Sequence, residues 1–298
     1  MSIISNEDEF VYNLQVDVKD NKYYKVSLIN TISNHEQIIL KNDDGVYVVT
    51  PDVNRSFKFT SNWPNNSSQI YLLESLVKDV ISDTNVKFNN NIIEAKVNYP
   101  NNAKLVSESI YIDDNYNVKK VEVKDEDNKV MLKMEVAKID YKPSFGDDYF
   151  KLNESVQEET TEKKKKEDCV ESENNTCDVS NILEDIIYPL YVPGDTYLTS
   201  KDTIDTDEGN RIILTFAGVS PFILVEETSS INEEMEIIPV NGEPLLMGGG
   251  LALLSDNSLY WSVNGVDFYL TSKTLNGSEM MMIAESIQNS TSLVASTK

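Results

Sequence analysis

Short runs in which apolar and polar residues alternate dominate this chain. Val26–Asn30, Gln37–Lys41, Val46–Thr50 and Ser56–Thr60 are β-rich runs separated by turn-forming residues, and each reads as a strand. Asp44-Gly45 marks a hairpin, because both residues tolerate the positive φ of a type I′ turn. Further strands are predicted at Ile92–Asn98, Leu105–Ile112, Val118–Lys124 and Val130–Tyr141, with Glu126-Asp127-Asn128 turning between the last two. Residues 67–82 follow a different period. Ile70, Leu73, Leu76, Val77, Val80 and Ile81 recur at helical spacing, with Glu74, Lys78 and Asp79 on the other side, which predicts an amphipathic helix. Asn66, Ser67 or Ser68 would cap its start.

From 154 to 182 the pattern breaks. This segment is almost devoid of apolar residues, and its four-lysine run Lys163–Lys166 is embedded in acids, so it reads as a solvated linker rather than a basic docking patch. β patterning then resumes at Arg211–Phe216, Phe222–Glu226, Met235–Val240, Leu259–Val263 and Val266–Thr271, with turn signals at Asn241-Gly242 and Asn264-Gly265. Val266, Phe268 and Leu270 alternate with Asp267, Tyr269 and Thr271, so one face of that strand is buried. A second helix enters at Asn276-Gly277-Ser278-Glu279 and aligns Met280, Ile283, Ala284 and Ile287 on one face. Residues 290–298 read as a disordered tail. The fold class is mainly β (α+β). Residues 1–153 form a strongly curved antiparallel half-barrel with a helical plug, 154–182 a linker or insert, and 183–289 a smaller β-sheet region with a terminal helix.

Composition narrows the chemistry. The 298 residues carry 26 Lys plus Arg against 50 Asp plus Glu, a formal charge of −24, which disfavours nucleic acid and anionic lipid head groups as partners. The longest apolar stretch, Pro244–Leu254, is about half of the roughly 20 residues needed to cross a bilayer. The opening residues MSIISNEDEF lack a signal peptide's basic and apolar regions, so the chain is either cytosolic or trimmed of its native start. Cys169 and Cys177, with seven residues between them, are open to two readings: a small-loop disulfide, or two free thiols in a loop. With two cysteines and the single histidine His35, zinc is nearly excluded.

No nucleophile elbow, Walker A loop, dinucleotide fingerprint or zincin motif is present. Gly248-Gly249-Gly250 lacks the residues of a phosphate loop and reads as a place where a strand changes direction. Asp147-Asp148 and Glu226-Glu227 are adjacent acids of the kind chance produces in so acidic a chain. The acids at 202–208 miss calcium-loop spacing and read as a solvated turn. What remains is a binding surface. A curled sheet stoppered by the 67–82 helix makes an apolar pocket, with Ile70, Leu73, Leu76, Val77, Val80 and Ile81 as candidate ligand contacts, suited to an acyl chain or a partner's apolar segment. The same stripe equally serves a helix that only completes the core. The chain therefore reads as non-enzymatic and without a cofactor; a hydrolase built on an unrecognised carboxylate site is the remaining alternative.

Asp44–Pro51, Phe57-Lys58-Phe59 and Trp63–Ser68 resemble the Gram-positive branch of the outer-membrane lipoprotein carrier (LolA-like) family, in particular its YdcC-type sporulation lipoproteins. Tyr188–Tyr191, Arg211–Phe216, Trp261–Ser272 and Ala284–Gln288 resemble the same family's C-terminal region. The resemblance implies a half-barrel with a helical plug and a lipidated cysteine anchoring the protein outside the cell membrane, at the spore envelope in some members. It implies as partner a lipid or lipoprotein acyl chain. Related germination lipoproteins add a second option, a scaffold for a cell-wall (spore-cortex) enzyme such as an amidase. The chain shows no lipobox, and the family's opening helix and first strand are read as absent or incomplete before Phe10, so the membrane anchor would have to precede this sequence. Such a gap would leave an open sheet edge, which invites a homodimer by strand exchange.

Overall fold

The computed structural model describes residues 1–5, 8–152, 183, 185–206, 209–232 and 234–295. Among the described residues, two sheets, two α-helices and one 3₁₀ turn (Pro51–Val53) account for the regular structure. The larger sheet opens with β1 (Ser2–Ser5), β2 (Asp8–Lys19), β3 (Tyr23–Asn30), β4 (Glu36–Asn42), β5 (Gly45–Thr50) and β6 (Arg55–Phe59). After helix α1 (Leu73–Ser82) come β7 (Lys87–Asn89), β8 (Ile92–Lys96), β9 (Ser107–Ile112), β10 (Val118–Lys124) and β11 (Val130–Glu135). The smaller sheet holds β12 (Thr196–Thr206), β13 (Gly209–Gly218), β14 (Phe222–Thr228), β16 (Glu243–Met247), β17 (Gly250–Leu254), β18 (Ser258–Val263) and β19 (Val266–Thr271), followed by helix α2 (Gly277–Ala295). Between them β15 (Glu236–Val240) leaves the second half of the chain and joins the larger sheet, parallel to β6.

The twelve-stranded order is β15-β6-β5-β4-β3-β2-β1-β11-β10-β9-β8-β7, open at both ends. Side chains from β1–β6 and β9–β11 reach one core with Trp63, Ile70, Tyr71, Leu72 and Leu76, so the sheet wraps around its contents as a half-barrel does. The opening strands correct the reading that the first strand is missing before Phe10. β1 pairs with both β2 and β11, and so stitches the two wings together at the sheet's centre. The edge proposed for strand exchange is thus filled. The edges of this sheet are β7 and β15.

Burial explains why some strands alternate and others do not. In β4, Ile39 faces the main core while Ile38 and Leu40 face a second cluster, closed by Phe150 with Phe145, Tyr149 and Leu152 packed against it. A strand covered on both faces carries an unbroken apolar run. β17 is the same case between the two sheets: Leu251 and Leu253 enter the larger sheet's core, Ala252 and Leu254 the smaller one's.

The hairpin at Asp44-Gly45 forms, but not as a type I′ turn. Asn42 pairs with Gly45, the loop residues are Asp43 and Asp44, and of these four only Gly45 has a positive φ. Val263 pairs with Val266 across Asn264 and Gly265, which take the paired left-handed φ values of 52° and 77° expected of that turn. The acids near 202 correct the solvated-turn reading: Asp202 and Asp205 lie in β12, an edge strand exposed along nearly its whole length. α2 starts with a reciprocal cap, Asn276 Oδ1 accepting from Glu279 N–H at 3.0 Å and Glu279 Oε2 from Asn276 N–H at 2.8 Å. Met280, Ile283, Ala284 and Ile287 are fully buried, and the helix continues to Ala295, past the stretch its apolar spacing marks. Cys169, Cys177 and Lys163–Lys166 lie outside the described residues.

Polar contacts lock the sheets together. Tyr12 Oη donates to Gly248 O at 2.6 Å, and Leu251 N–H to Gln37 Oε1 at 2.7 Å. Gly250, with φ +131°, lies where a Cβ would come within 2.2 Å of that same Gln37 oxygen, so the triple-glycine turn is shaped by a close approach rather than by a phosphate. Arg55 on β6 reaches across to Asp267 on β19 at 2.5 Å, both side chains being almost wholly buried.

Candidate functional site

The hollow of the larger sheet is stoppered, though not by the helix the spacing predicts. Residues 66–72 are turns and irregular chain and not helix, with Ser68 N–H donating to Asn98 O at 2.7 Å and Asn98 N–H to Ser68 Oγ at 2.8 Å. Ile70, Tyr71 and Leu72 are buried in succession, which a helix with one apolar face cannot arrange. The helix begins only at Leu73, and Leu72 takes the N-cap position in place of Asn66, Ser67 or Ser68.

Of the six residues predicted to face the hollow, Ile70 and Leu76 are buried in the core and Val80 packs against it. The other three correct the expectation. Leu73, Val77 and Ile81 turn outward along one line of α1, and Ile81 is 78% exposed. The reason lies in Asp79, which the spacing placed off the apolar face and the structure buries together with Ser75. The helix is rotated so that a carboxylate, and not a full apolar stripe, meets the sheet.

Beneath α1 the buried side includes a pair of acids. Glu108 on β9 is 1% exposed, and its Oε1 has no partner, like Oδ2 of Asp79. Burial, reinforced by the Asp79 charge, pushes Glu108 up to about 8. Burial likewise raises Asp79, against a bond from Ser68. Burial and the Glu108 charge hold the Tyr99 phenol well above its ordinary value. The signal for this pair in the sequence is slight: Glu108 is one polar residue in a β-rich run and Asp79 one acid on an amphipathic helix.

The open space left at the stopper is about 40 Å³, bounded by Tyr71, Tyr99, Leu105, Leu132, Leu246 and Met281 among others. A water needs about 10–15 Å³ by this kind of measure, so the gap holds a few waters. An acyl chain needs a site of roughly 300 Å³ or more.

The remaining candidates resolve simply. His35 is partly exposed, with Nδ1 3.1 Å from Asp52 Oδ2. Asp148 pairs with Lys151. Glu226 and Glu227 sit on opposite faces of β14: Glu226 is buried, accepts from Ile187 N–H at 3.0 Å and is pushed up to about 7 by burial, while Glu227 binds Arg211. Pleating alone keeps such neighbours from acting as a pair. Trp63 and Trp261 are both 1% exposed and serve the two separate cores. Among the described residues, no group of three or more His, Cys, Asp or Glu could hold a metal, and no helix is long and apolar enough to cross a membrane.

Fold and site together define a mainly β protein of two sheets, in which a half-barrel-like antiparallel sheet has its hollow closed by its own chain. The chain belongs to the family of the sporulation protein YdcC: it is 35% identical to that protein of Bacillus subtilis (strain 168) over 297 residues, covering 98% of this chain and 85% of the relative. No family model matches it. Among solved structures it is similar to the MucA/MucB complex of Pseudomonas aeruginosa, at TM-score 0.31 and 9% identity over 95% of this chain and 89% of that one. It is likewise similar to MucB alone, at TM-score 0.30 and 9% identity over 97% and 89%. Likeness at that level carries no argument about what this chain does.

Proposed function

We propose that this chain is a non-enzymatic, extracytoplasmic protein of sporulation that works by binding a protein partner in envelope or spore-cortex assembly, on a LolA-like scaffold held at the membrane by a lipidated N-terminus. Membership of the YdcC family supports the sporulation setting. The observation that carries the choice of partner over lipid is the closed hollow. Ile70, Tyr71, Leu72 and Leu76 fill the space an acyl chain would take, and about 40 Å³ is left. Each such buried apolar side chain contributes roughly 1.5–3 kcal/mol, so a lipid could enter only by displacing contacts the chain already makes with itself. The open sheet with helix-side filling supports the LolA-like reading.

The test is native mass spectrometry of the protein isolated from sporulating cells. A complex of fixed stoichiometry with one envelope protein, and a monomer carrying no lipid beyond that covalently attached at its N-terminus, is the expected result. A monomer carrying one further, non-covalently bound lipid per chain would overturn the partner reading and restore the carrier.

A further inference from the structure

Among the described residues the two sheets end in four edge strands, β7, β15, β12 and β16, and three of them are guarded. β7 has three residues; β15 and β16 have five each and carry Pro239 and Pro244, which cannot donate to a further ladder. β12 runs for 11 residues without a proline, is paired on one side only, and is exposed along nearly its whole length. A bulge between Leu198 and Ser200 interrupts its start. Beyond it, Ser200–Thr206 form an unbroken ladder with residues 209–215 of β13.

What guards this stretch is charge. Lys201, Thr203 and Asp205 stand opposite Leu214, Ile212 and Asn210, all buried, so they share the face on the core side, while Ser200, Asp202, Ile204 and Thr206 take the other. Asp202 accepts from Ser200 Oγ at 2.9 Å, but among the described residues Lys201 and Asp205 have no ion pair. Such charges repel most strands offered to an edge. They suit a second copy of the same strand. An antiparallel pairing about a twofold axis at Thr203 sets Lys201 against Asp205 of the partner subunit, and Asp205 against Lys201 of the partner subunit. It also brings the two Ile204 side chains, 49% exposed in the single chain, to diagonal positions on the other face, within reach of each other. Residues of like face meet, so backbone groups pointing away from β13 on one copy meet their counterparts on the other, and about six ladder hydrogen bonds form. Neighbouring registers are worse. An axis at Asp202 opposes two acids, an axis at Lys201 opposes two ammonium groups, and an axis at Ile204 shortens the ladder.

We propose that β12 is a self-recognition edge: two copies of this chain join antiparallel through Ser200–Thr206, about an axis at Thr203, into one continuous sheet. No strand changes places, and the contact does not depend on the partner-binding reading. Against it stand the charge of −24 on each copy and the two acids that follow the ladder in sequence, Asp207 and Glu208. Salt screens much of this repulsion, the Debye length being about 8 Å at 0.15 M. A ladder this short also buries less than the roughly 1,200 Å² of a standing interface, so the dissociation constant is on the order of 0.1 mM and dilute protein is monomeric.

Sedimentation equilibrium of the full chain, from about 10 to about 500 µM in 0.15 M salt, tests the contact. A concentration-dependent dimer is expected. Lys201→Asp sets acid against acid, and Asp205→Lys sets base against base. Both side chains are exposed, so both variants fold, which circular dichroism checks. Each is expected to weaken the dimer about fivefold or more, because two symmetry-related pairs become repulsive. Asp205→Lys also lowers the net negative charge of each copy, so charge alone would tighten the dimer, and weakening is the signature of the register. The double variant K201D/D205K recreates both pairs and is expected to return the affinity to within about twofold of wild type. A dimer tightened by Asp205→Lys, or a double variant as weak as the single ones, overturns the proposal. A monomer at every concentration also overturns it, and leaves the edge to a strand of another protein.

Discussion

Glu108→Gln is the most direct probe of the stopper, because it removes a buried acid and keeps its shape. In the unfolded chain this carboxyl titrates near the ordinary glutamate value of 4.5, and in the folded protein at about 8. Below the lower value both states hold the proton and the group adds nothing to the pH dependence. Between the two, the unfolded chain releases its proton and the folded one keeps it. Each pH unit then removes about 1.4 kcal/mol of stability. By about pH 7 the accumulated loss is on the order of 3 kcal/mol, and it levels off above about pH 8. The glutamine variant has no proton to release. Its stability relative to wild type is therefore expected to rise between pH 5 and pH 8 by about 3–4 kcal/mol, on top of a pH-independent offset from its extra amide donor. Urea unfolding at about pH 5 and pH 8 measures the difference, followed by tryptophan fluorescence, to which Trp63 in one core and Trp261 in the other both contribute. A difference between variant and wild type that is the same at both pH values would refute the reasoning, and would mean that Glu108 is ionised in the native protein at neutral pH.

Other substitutions separate the contacts that matter. Arg55→Ala strands the buried Asp267 charge and is expected to cost about 3–5 kcal/mol, read as a lower urea midpoint; an unchanged midpoint would show that the sheets do not depend on this pair. Gly250→Ala places a methyl against Gln37 at a left-handed φ and is expected to lower Tm by the equivalent of about 1–3 kcal/mol, whereas a Tm equal to wild type would show that the turn can yield. Leu76→Ala is expected to cost about 2–5 kcal/mol and Ile81→Ala under about 0.5, since one lies in the core and the other in solvent; equal costs would disprove the observed rotation of α1.

Periodicity alone made much of this protein legible: most of the strands, the second helix with its cap, and the hairpin at Asn264-Gly265. These follow from local geometry, because pleat, helical repeat and turn φ act over a few residues. β2 is a strand the sequence reading missed although Phe10, Tyr12, Leu14, Val16 and Val18 alternate, and its short partner β1 is recognisable only once β11 lies beside it. β12 has no apolar face to announce it, because an edge strand of this kind is held by its ladder to β13. Residues 70–81 show where local pattern fails. Their spacing fits a helix from 67 onward, yet the core takes Ile70, Tyr71 and Leu72 in a row and buries Asp79 as well as Glu108, which only the three-dimensional shape of the hollow could dictate. Arg55 and Asp267, 212 positions apart, carry no mutual signal in the sequence; packing one sheet on the other made them neighbours.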